Sequence, residues 1–533
     1  MRVSARGRAA LGLTAVMLAV TACAGSEQDN GTGDAASRTM VVAATSVPAG
    51  FDGDILQPGT QAAVTQLNEP LVDFPESEPN ETGAREVVGT TVEPRLAESW
   101  DVSEDGLEYI FTLREGVESA HGNTLSSEDV KWSWEKSFAQ GRTGNFIATA
   151  TNVDSVDIVD ERRVKFTLSA PSPVFIRALA LYVPNIYDST EMKKHATDSD
   201  PWALEWLKTN HAGFGAYYLE SLQPGVQAVF AANPNYYRGE PYFTRVIYRE
   251  VPDASNRVQL LISGEVDWVE DPTPKQLQDL ADVDTVAVRS VVGNLHVRAL
   301  MNPNFEPFDD PLVRQAVNHS IDREVIRDTV FYGFGQAPTG SVPPGFQCAV
   351  EVPGYELNHD KARDLLAQAG YPDGVDIELT YSDYNIWDEA LAVQLQASLE
   401  RSGFRVELQR IPSADILARS AIGQRDLPFF ILFEQTQIPD AGYSLALTSV
   451  PTGSADRNDY DNPELVDLVQ QANATTDEEA RCQMLERAQQ IHRDDATWAY
   501  IWLPGAYGVM SADIEGWVWH AEQQPRWFDL KRS

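Results

Sequence analysis

The residues best placed for chemistry stand directly after an apolar run. Phe429 to Phe433 are five apolar residues in a row, followed by Glu434, Gln435, Thr436 and Gln437, then by Pro439 and Asp440. A short run of aromatic and β-branched residues reads as a strand buried on both faces, the kind found in parallel sheets. In open α/β sheets, ligands sit outside the carboxyl ends of strands. Gln435 and Gln437 are therefore candidate ligand contacts, weighed against a role as solvated loop residues. Tyr384, Asn385 and Trp387 occupy a second such end, between the alternating apolar residues Val375, Ile377, Leu379 and Tyr381 and a helical stretch. Asn302 ends a further strand, and Phe214 and Phe51 stand in glycine-containing loops. Amides and aromatics together hold polar neutral groups by hydrogen bonding and stacking. Trp387 also keeps helical spacing with Leu391, so a core role competes there.

Catalytic patterns are missing. There is no HExxH to set two histidines on one helix face for zinc, no GxSxG and no GxxxxGK[ST]. The eight histidines are scattered without an i, i+4 pair. Neither a catalytic residue, a metal site nor a cofactor is expected, and the chain reads as a binder, not an enzyme.

The elements that position these residues alternate. TMVVAA at 39 to 44 is a short strand. Leu107, Tyr109, Phe111 and Leu113 alternate as another, and Ser126 to Asp129 open a helix through Val130, Trp132 and Trp134. Val153 to Leu168 reads as a hairpin, so a β-and-helix subdomain is expected at about 80 to 205. Strands follow at 217 to 222, 226 to 231 and 244 to 250, and a helix at 254 to 262. Leu295 to Met301 is strand-like and crosses between lobes. Pro311 opens one long helix through Val325. A βαβ unit then runs from Val375 through Leu391, Leu395 and Leu399 to Leu408, with Gly403 ending its helix.

The 533 residues are too many for one core, so two or more lobes are expected. Net charge is −38, from 79 acids and 41 bases. Such a surface repels nucleic acid and anionic membrane, and both are excluded as direct ligands. At the start, Arg2, Arg6 and Arg8 precede the apolar run Ala9 to Val20, then Thr21-Ala22-Cys23-Ala24-Gly25. This resembles a bacterial lipobox, which implies cleavage before Cys23, lipid attachment at Cys23 and removal of signal residues 1–22. Residues 23–38 read as a flexible tether. An exported, oxidising context permits a disulfide between Cys348 and Cys482, and two separate buried thiols fit equally.

Several segments then resemble one family. PRLAESWDVSEDGLEYIFTLREGV at 94 to 117, LSSEDVKWSWE at 125 to 135, GFGAYYLESLQPG at 213 to 225 and NPNYYRGEPY at 233 to 242 come first. FDDPLVRQAVNHSIDREVI at 308 to 326, SVPPG at 341 to 345 and YDNPELVDLV at 460 to 469 follow in order. Together they are similar to the extracytoplasmic solute-binding proteins of the peptide/nickel family (family 5), which serve ABC importers. The resemblance implies an α/β, two-lobed periplasmic-binding-protein-like fold (class II, large cluster C type) with an extra subdomain in the first lobe. It divides the chain into a first lobe (39–290), a second lobe (291–500) and a return to the first (501–533). It implies capture of a small peptide or other solute between lobes, delivery to the permease subunits, anchorage to the outer face of the cell membrane through Cys23, and action as a monomer. In peptide-binding members an aspartate in the loop after the buried strand holds the peptide ammonium. Aligning Pro439-Asp440 with that motif puts Gln437 at its position and Ala441 at the second proline. A neutral amide does not neutralise a buried ammonium, so a sugar, opine or amino-acid conjugate is the alternative ligand. Asp440 survives as a further contact candidate at a position that shapes the turn.

Overall fold

The computed structural model describes residues 38–55, 59–87, 89–141, 147, 150–181, 185–522 and 525–533. Cys23, the signal segment and the tether before Arg38 lie outside these residues. Thr39–Ser533 forms one unit. Among the described residues no helix is long and apolar enough to cross a membrane.

The chain begins with β1 (Thr39–Ala44). Next come β2 (Ala97–Val102) and β3 (Glu108–Leu113), helix α1 (Ser127–Gln140), then β4 (Val153–Ile158) and β5 (Arg163–Leu168). Ser126 and Asp129 form a capping box at the start of α1, in which the acid read as a helix-start signal accepts the Ser126 N–H at 2.8 Å. The four strands make a separate antiparallel sheet in the order β2-β3-β5-β4. Its apolar face packs Phe111, Phe166 and Phe175 against Trp134 of α1. The short helix α2 (Phe175–Ala178) follows.

The chain then returns beside β1 with β6 (Tyr217–Gln223), β7 (Gln227–Ala232), β8 (Arg245–Glu250), β9 (Trp268–Val269) and β10 (Val286–Val291). After a three-residue connector comes β11 (Leu295–Met301). Helix α3 (Pro311–Ser320) stops at Ile321, and Asp322 caps a new helix at Arg323–Thr329. The expected single helix is therefore two, because the Asp322 side chain takes the Val325 N–H and restarts the ladder. Helix α4 (His359–Gln368) leads into the βαβ unit of β12 (Val375–Tyr381), α5 (Asp388–Glu400) and β13 (Phe404–Arg410). Then come β14 (Phe429–Gln435), α6 (Ala441–Thr448), α7 (Pro463–Asn473), α8 (Glu478–Asp495), β15 (Trp498–Trp502) and β16 (Ala506–Ser511).

Two larger sheets result. One has the order β10-β16-β9-β1-β8-β7-β6, the other β13-β12-β14-β11-β15. The second is mixed. β12 runs parallel to β13 and β14, but β11 runs antiparallel to both β14 and β15. The apolar run at 429 to 433 is thus a central strand of a mixed sheet, not of a parallel one. Both faces are covered, one by α3 and α5 and the other by side chains around Trp498, which is why the run lacks alternation. β11 lies wholly in this second sheet, so the crossing expected within it falls instead at the preceding connector.

Cys348 and Cys482 form a disulfide, with Cα atoms 4.9 Å apart. It joins the segment before α4 to α8, beside an apolar cluster of Phe346, Ala441, Leu445 and Leu485. The bridge spans 134 residues, so it removes much loop freedom from the unfolded chain. Replacing both cysteines by serine is expected to lower unfolding free energy by about 2–5 kcal/mol. Urea denaturation checks this, and an unchanged midpoint would mean the bridge contributes nothing.

Candidate functional site

The chain passes between the two larger sheets twice, at 292–294 and at 503–505, and the passages lie side by side. Gly293 has φ +68°, and a Cβ there would sit 3.5 Å from the Ala506 nitrogen. Gly505 has φ +89°, and a Cβ there would meet the Val291 carbonyl oxygen at 3.0 Å. Left-handed backbone in such close quarters suits glycine and few other residues. Asn294 donates from Nδ2 to the carbonyls of Thr436 and Ala521, both at 2.8 Å. The carboxyl end of β14 is thereby tied to the crossing.

The register of β11 on β14 decides which expected contacts meet. Leu295 faces Gln435, and Met301 faces Phe429. Tyr384 is 61% exposed and stacks on Phe433, centroids 5.1 Å apart. Phe433 and Gln435 share a strand face by the two-residue period, so Tyr384, Phe433 and Gln435 come together. Gln437 follows in the loop, half-buried. Neither glutamine side chain has a hydrogen bond among the described residues, which leaves both amides available.

Five other expected contacts are placed elsewhere. Asn302 lies at the far end of the antiparallel ladder, about 20 Å from Gln435 at ~3.3 Å per residue. It is buried and donates to the Arg425 carbonyl at 2.9 Å. Phe51 and Phe214 are fully buried in the two cores of the amino-terminal half. The glycines around Phe214 serve packing, since a Cβ on Gly215 would fall 2.3 Å from the Gln66 carbonyl oxygen. Asn385 is committed to Asp388 through its backbone N–H and its amide, both at 3.1 Å, at the start of α5. Trp387 packs on Phe331 and the core beneath α3 and α5, the role its spacing with Leu391 allowed.

Asp440 is also taken up by structure. It is fully buried, caps α6 by accepting the Tyr443 N–H at 2.9 Å, and pairs with Arg177 at 2.9 Å and Arg481 at 2.5 Å. Three donors thus already engage this buried carboxylate.

A carboxylate that sequence reasoning passed over stands one residue before Gln435. Glu434 points to the opposite face, and Arg298 reaches it with Nη2 at 3.4 Å while stacking 3.7 Å over Trp498. The Glu434 side chain is 17% exposed and that of Arg298 1%. Burial pushes the Glu434 carboxyl up, opposed by Arg298 and Arg457. Burial pushes Arg298 down to about 10, opposed by Glu434. The period-two pattern that singled out Gln435 marks Glu434 as the other face of the same strand end. Among the described residues no group of three or more His, Cys, Asp or Glu converges as metal ligands. The arrangement suits non-covalent binding: two amides and a stacked tyrosine beside a double crossing.

The Arg298–Glu434 pair sets an asymmetric expectation. Glu434→Gln leaves a buried guanidinium that keeps its charge, and is expected to cost about 3 kcal/mol of stability. Arg298→Met leaves a carboxyl that takes up a proton, and is expected to cost less. Denaturant midpoints of both variants at pH 7 check the order, and a larger loss for Arg298→Met would reverse this account.

Comparison with known proteins accords with the geometry. Residues 91–456 match the family described as bacterial extracellular solute-binding proteins, family 5 Middle. Heme-binding protein A of Haemophilus influenzae is 25% identical over 541 residues, covering 96% of each chain. The probable D,D-dipeptide-binding periplasmic protein DdpA of Escherichia coli is 29% identical over 437 residues, covering 81% of this chain and 83% of its own. The structure of the ABC transporter-associated periplasmic binding protein DppA from Helicobacter pylori, in complex with peptide STSA, matches with a TM-score of 0.75 at 23% identity, covering 93% of this chain and 98% of that one. The fold is the α/β, two-lobed periplasmic-binding-protein-like type, and the chain belongs to the bacterial extracellular solute-binding proteins of family 5.

Proposed function

We propose that this chain is an extracytoplasmic receptor that captures a small peptide or peptide-like solute between two lobes and hands it to the permease subunits of an ABC importer. The observation that carries this reading is the pair of adjacent connectors at 292–294 and 503–505. Two short glycine-containing strands of chain side by side form a hinge, because rotation there changes few dihedrals and leaves both sheets intact. The lobes would be 39–290 and 291–500, with 501–533 returning to the first. A bound solute would be buried on closure and would shift the open–closed population toward the closed form. The receptor would act as a monomer without catalytic activity, held at the membrane by lipid on Cys23.

Ligand contact is assigned to Tyr384, Gln435 and Gln437; Glu434 points to the other face of the strand, toward Arg298, and is not among them. Peptide capture agrees with the dipeptide-binding relative and the peptide-bound structure above. The second reading, a neutral polar solute, is favoured by the uncharged amide of Gln437.

The test is thermal unfolding of the chain from Thr39 onward against di- and tripeptides, the same peptides N-acetylated, and neutral sugars and opines. A true ligand at a hundredfold its Kd stabilises the folded state by about 2.7 kcal/mol and raises the midpoint. Free peptides are expected to do so. Gln437→Asp is expected to shift preference toward free amines over acetylated ones about tenfold, the size of one charge-assisted contact. No shift with any free peptide would sink the peptide reading, and unchanged preference would remove Gln437 from the contact set.

A further inference from the structure

Arg177 and Asp440 are separated by 263 residues, yet Nη1 of Arg177 donates to Oδ2 of Asp440 at 2.9 Å with the carboxylate fully buried. Each partner is otherwise held by its own half of the molecule. Arg177, on α2 beside the four-stranded sheet, donates from Nε to the Thr90 carbonyl at 3.1 Å and from Nη1 to the Pro173 carbonyl at 3.4 Å. Asp440 is held by Arg481 of α8 at 2.5 Å and by the Tyr443 N–H at 2.9 Å. Its backbone neighbours are fixed too. Gln347 N donates to the Pro439 carbonyl at 3.1 Å, and Ala441 N donates to the Gln347 carbonyl at 2.9 Å. Cys348 and Cys482, next to Gln347 and Arg481 respectively, are disulfide-bonded. Ile438 and Tyr443, which flank Asp440, pack in the core that holds Phe51 and Val47.

The hydrogen bonds that hold each partner are thus made within its own half; across the junction Ile438 and Tyr443 pack on the first-half core, and one charge-assisted hydrogen bond joins Arg177 to Asp440. We infer that Arg177 is a positioning residue: by engaging Asp440 it sets the register in which the two halves close, and so where Gln435 and Gln437 stand over the bound solute. This rests on the hinge reading given above. Two guanidiniums share one carboxylate, so the pair does little to drive closure, and burial lowers the Arg177 pKa despite Asp440. A buried ion pair of this kind contributes geometry more than free energy: a closed form misaligned by a few ångströms leaves Arg177 and Asp440 desolvated and unjoined.

The test uses ligand-free full-length protein carrying spin labels on keto amino acids at positions 158 and 422, which leaves the cysteines untouched. Ile158 and Ile422 are both exposed, one at the end of β4 and the other beyond the helix Ser413–Arg419. The wild type is expected to give a narrow short-distance component. Arg177→Met and Arg177→Gln are expected to broaden it at least twofold with thermal midpoints retained, and Arg177→Lys, which keeps the charge, to recover part of the sharpness. Unchanged width in both neutral variants, or no recovery with lysine, overturns the proposal; so does the absence of any short component in the wild type. Peptide thermal shifts read separately: their loss with normal distances counts against the receptor reading alone, and normal shifts with unchanged width count against the register alone.

Discussion

The antiparallel ladder between β11 and β14 is the constraint on which the rest depends. Its register pairs Leu295 with Gln435, so the carboxyl end of β14 meets the amino end of β11. β11 emerges from the first crossing, and β15, its other neighbour, enters the second. One strand pairing thereby brings the polar end of the apolar run, both connectors and the loop before α6 to a single place. A parallel pairing of β11 with β14 would have sent Asn302 to that place and the crossing to the far end of the sheet. Asn294, bonded to the Thr436 and Ala521 carbonyls, ties the junction beside a core that includes Val291, Ile438 and Ala521.

Local patterns reported local structure well. The alternation at Leu107 to Leu113, the acids at the start of α1 and the helix read at 254 to 262 all correspond to observed elements, since each rests on contacts within a few residues. The βαβ unit was equally readable. What failed was inference across distance. Asn302 ends a strand, as expected, but strand direction within a mixed sheet is set by tertiary pairing that periodicity does not encode. Phe51 and Phe214 stand near glycines, and glycine signals either an open loop or a close backbone approach; here it was the second. Asp440 showed its turn-shaping role in sequence, but its pairing with Arg177 had no local signature. Cys348 and Cys482 left two outcomes open because 134 residues of separation says nothing about proximity.

Buried charge is distributed unevenly around this strand end. Asp440 is surrounded by donors and rigid, while Glu434 has one long contact to Arg298 and partial exposure. The Nε and Nη1 groups of Arg298 have no hydrogen-bond partner, so this guanidinium leans on the Trp498 ring and on Glu434 alone.

The loop carrying Gln437 combines two properties that usually conflict. In the proposed receptor it would meet a ligand from a hinged lobe, yet its backbone is fixed by the Asp440 cap, the Gln347 bridge and the bond from Asn294 to Thr436. Fixing the backbone before binding lowers the ordering cost that a flexible loop would incur on capture. The proposed reading would then leave motion to the glycine-containing connectors and selectivity to side chains on a rigid frame. On such a frame a change from carboxylate to amide at one position cannot be absorbed by the loop rearranging. In the proposed receptor the difference between Gln437 and an aspartate would therefore be met by the chemistry of the solute itself.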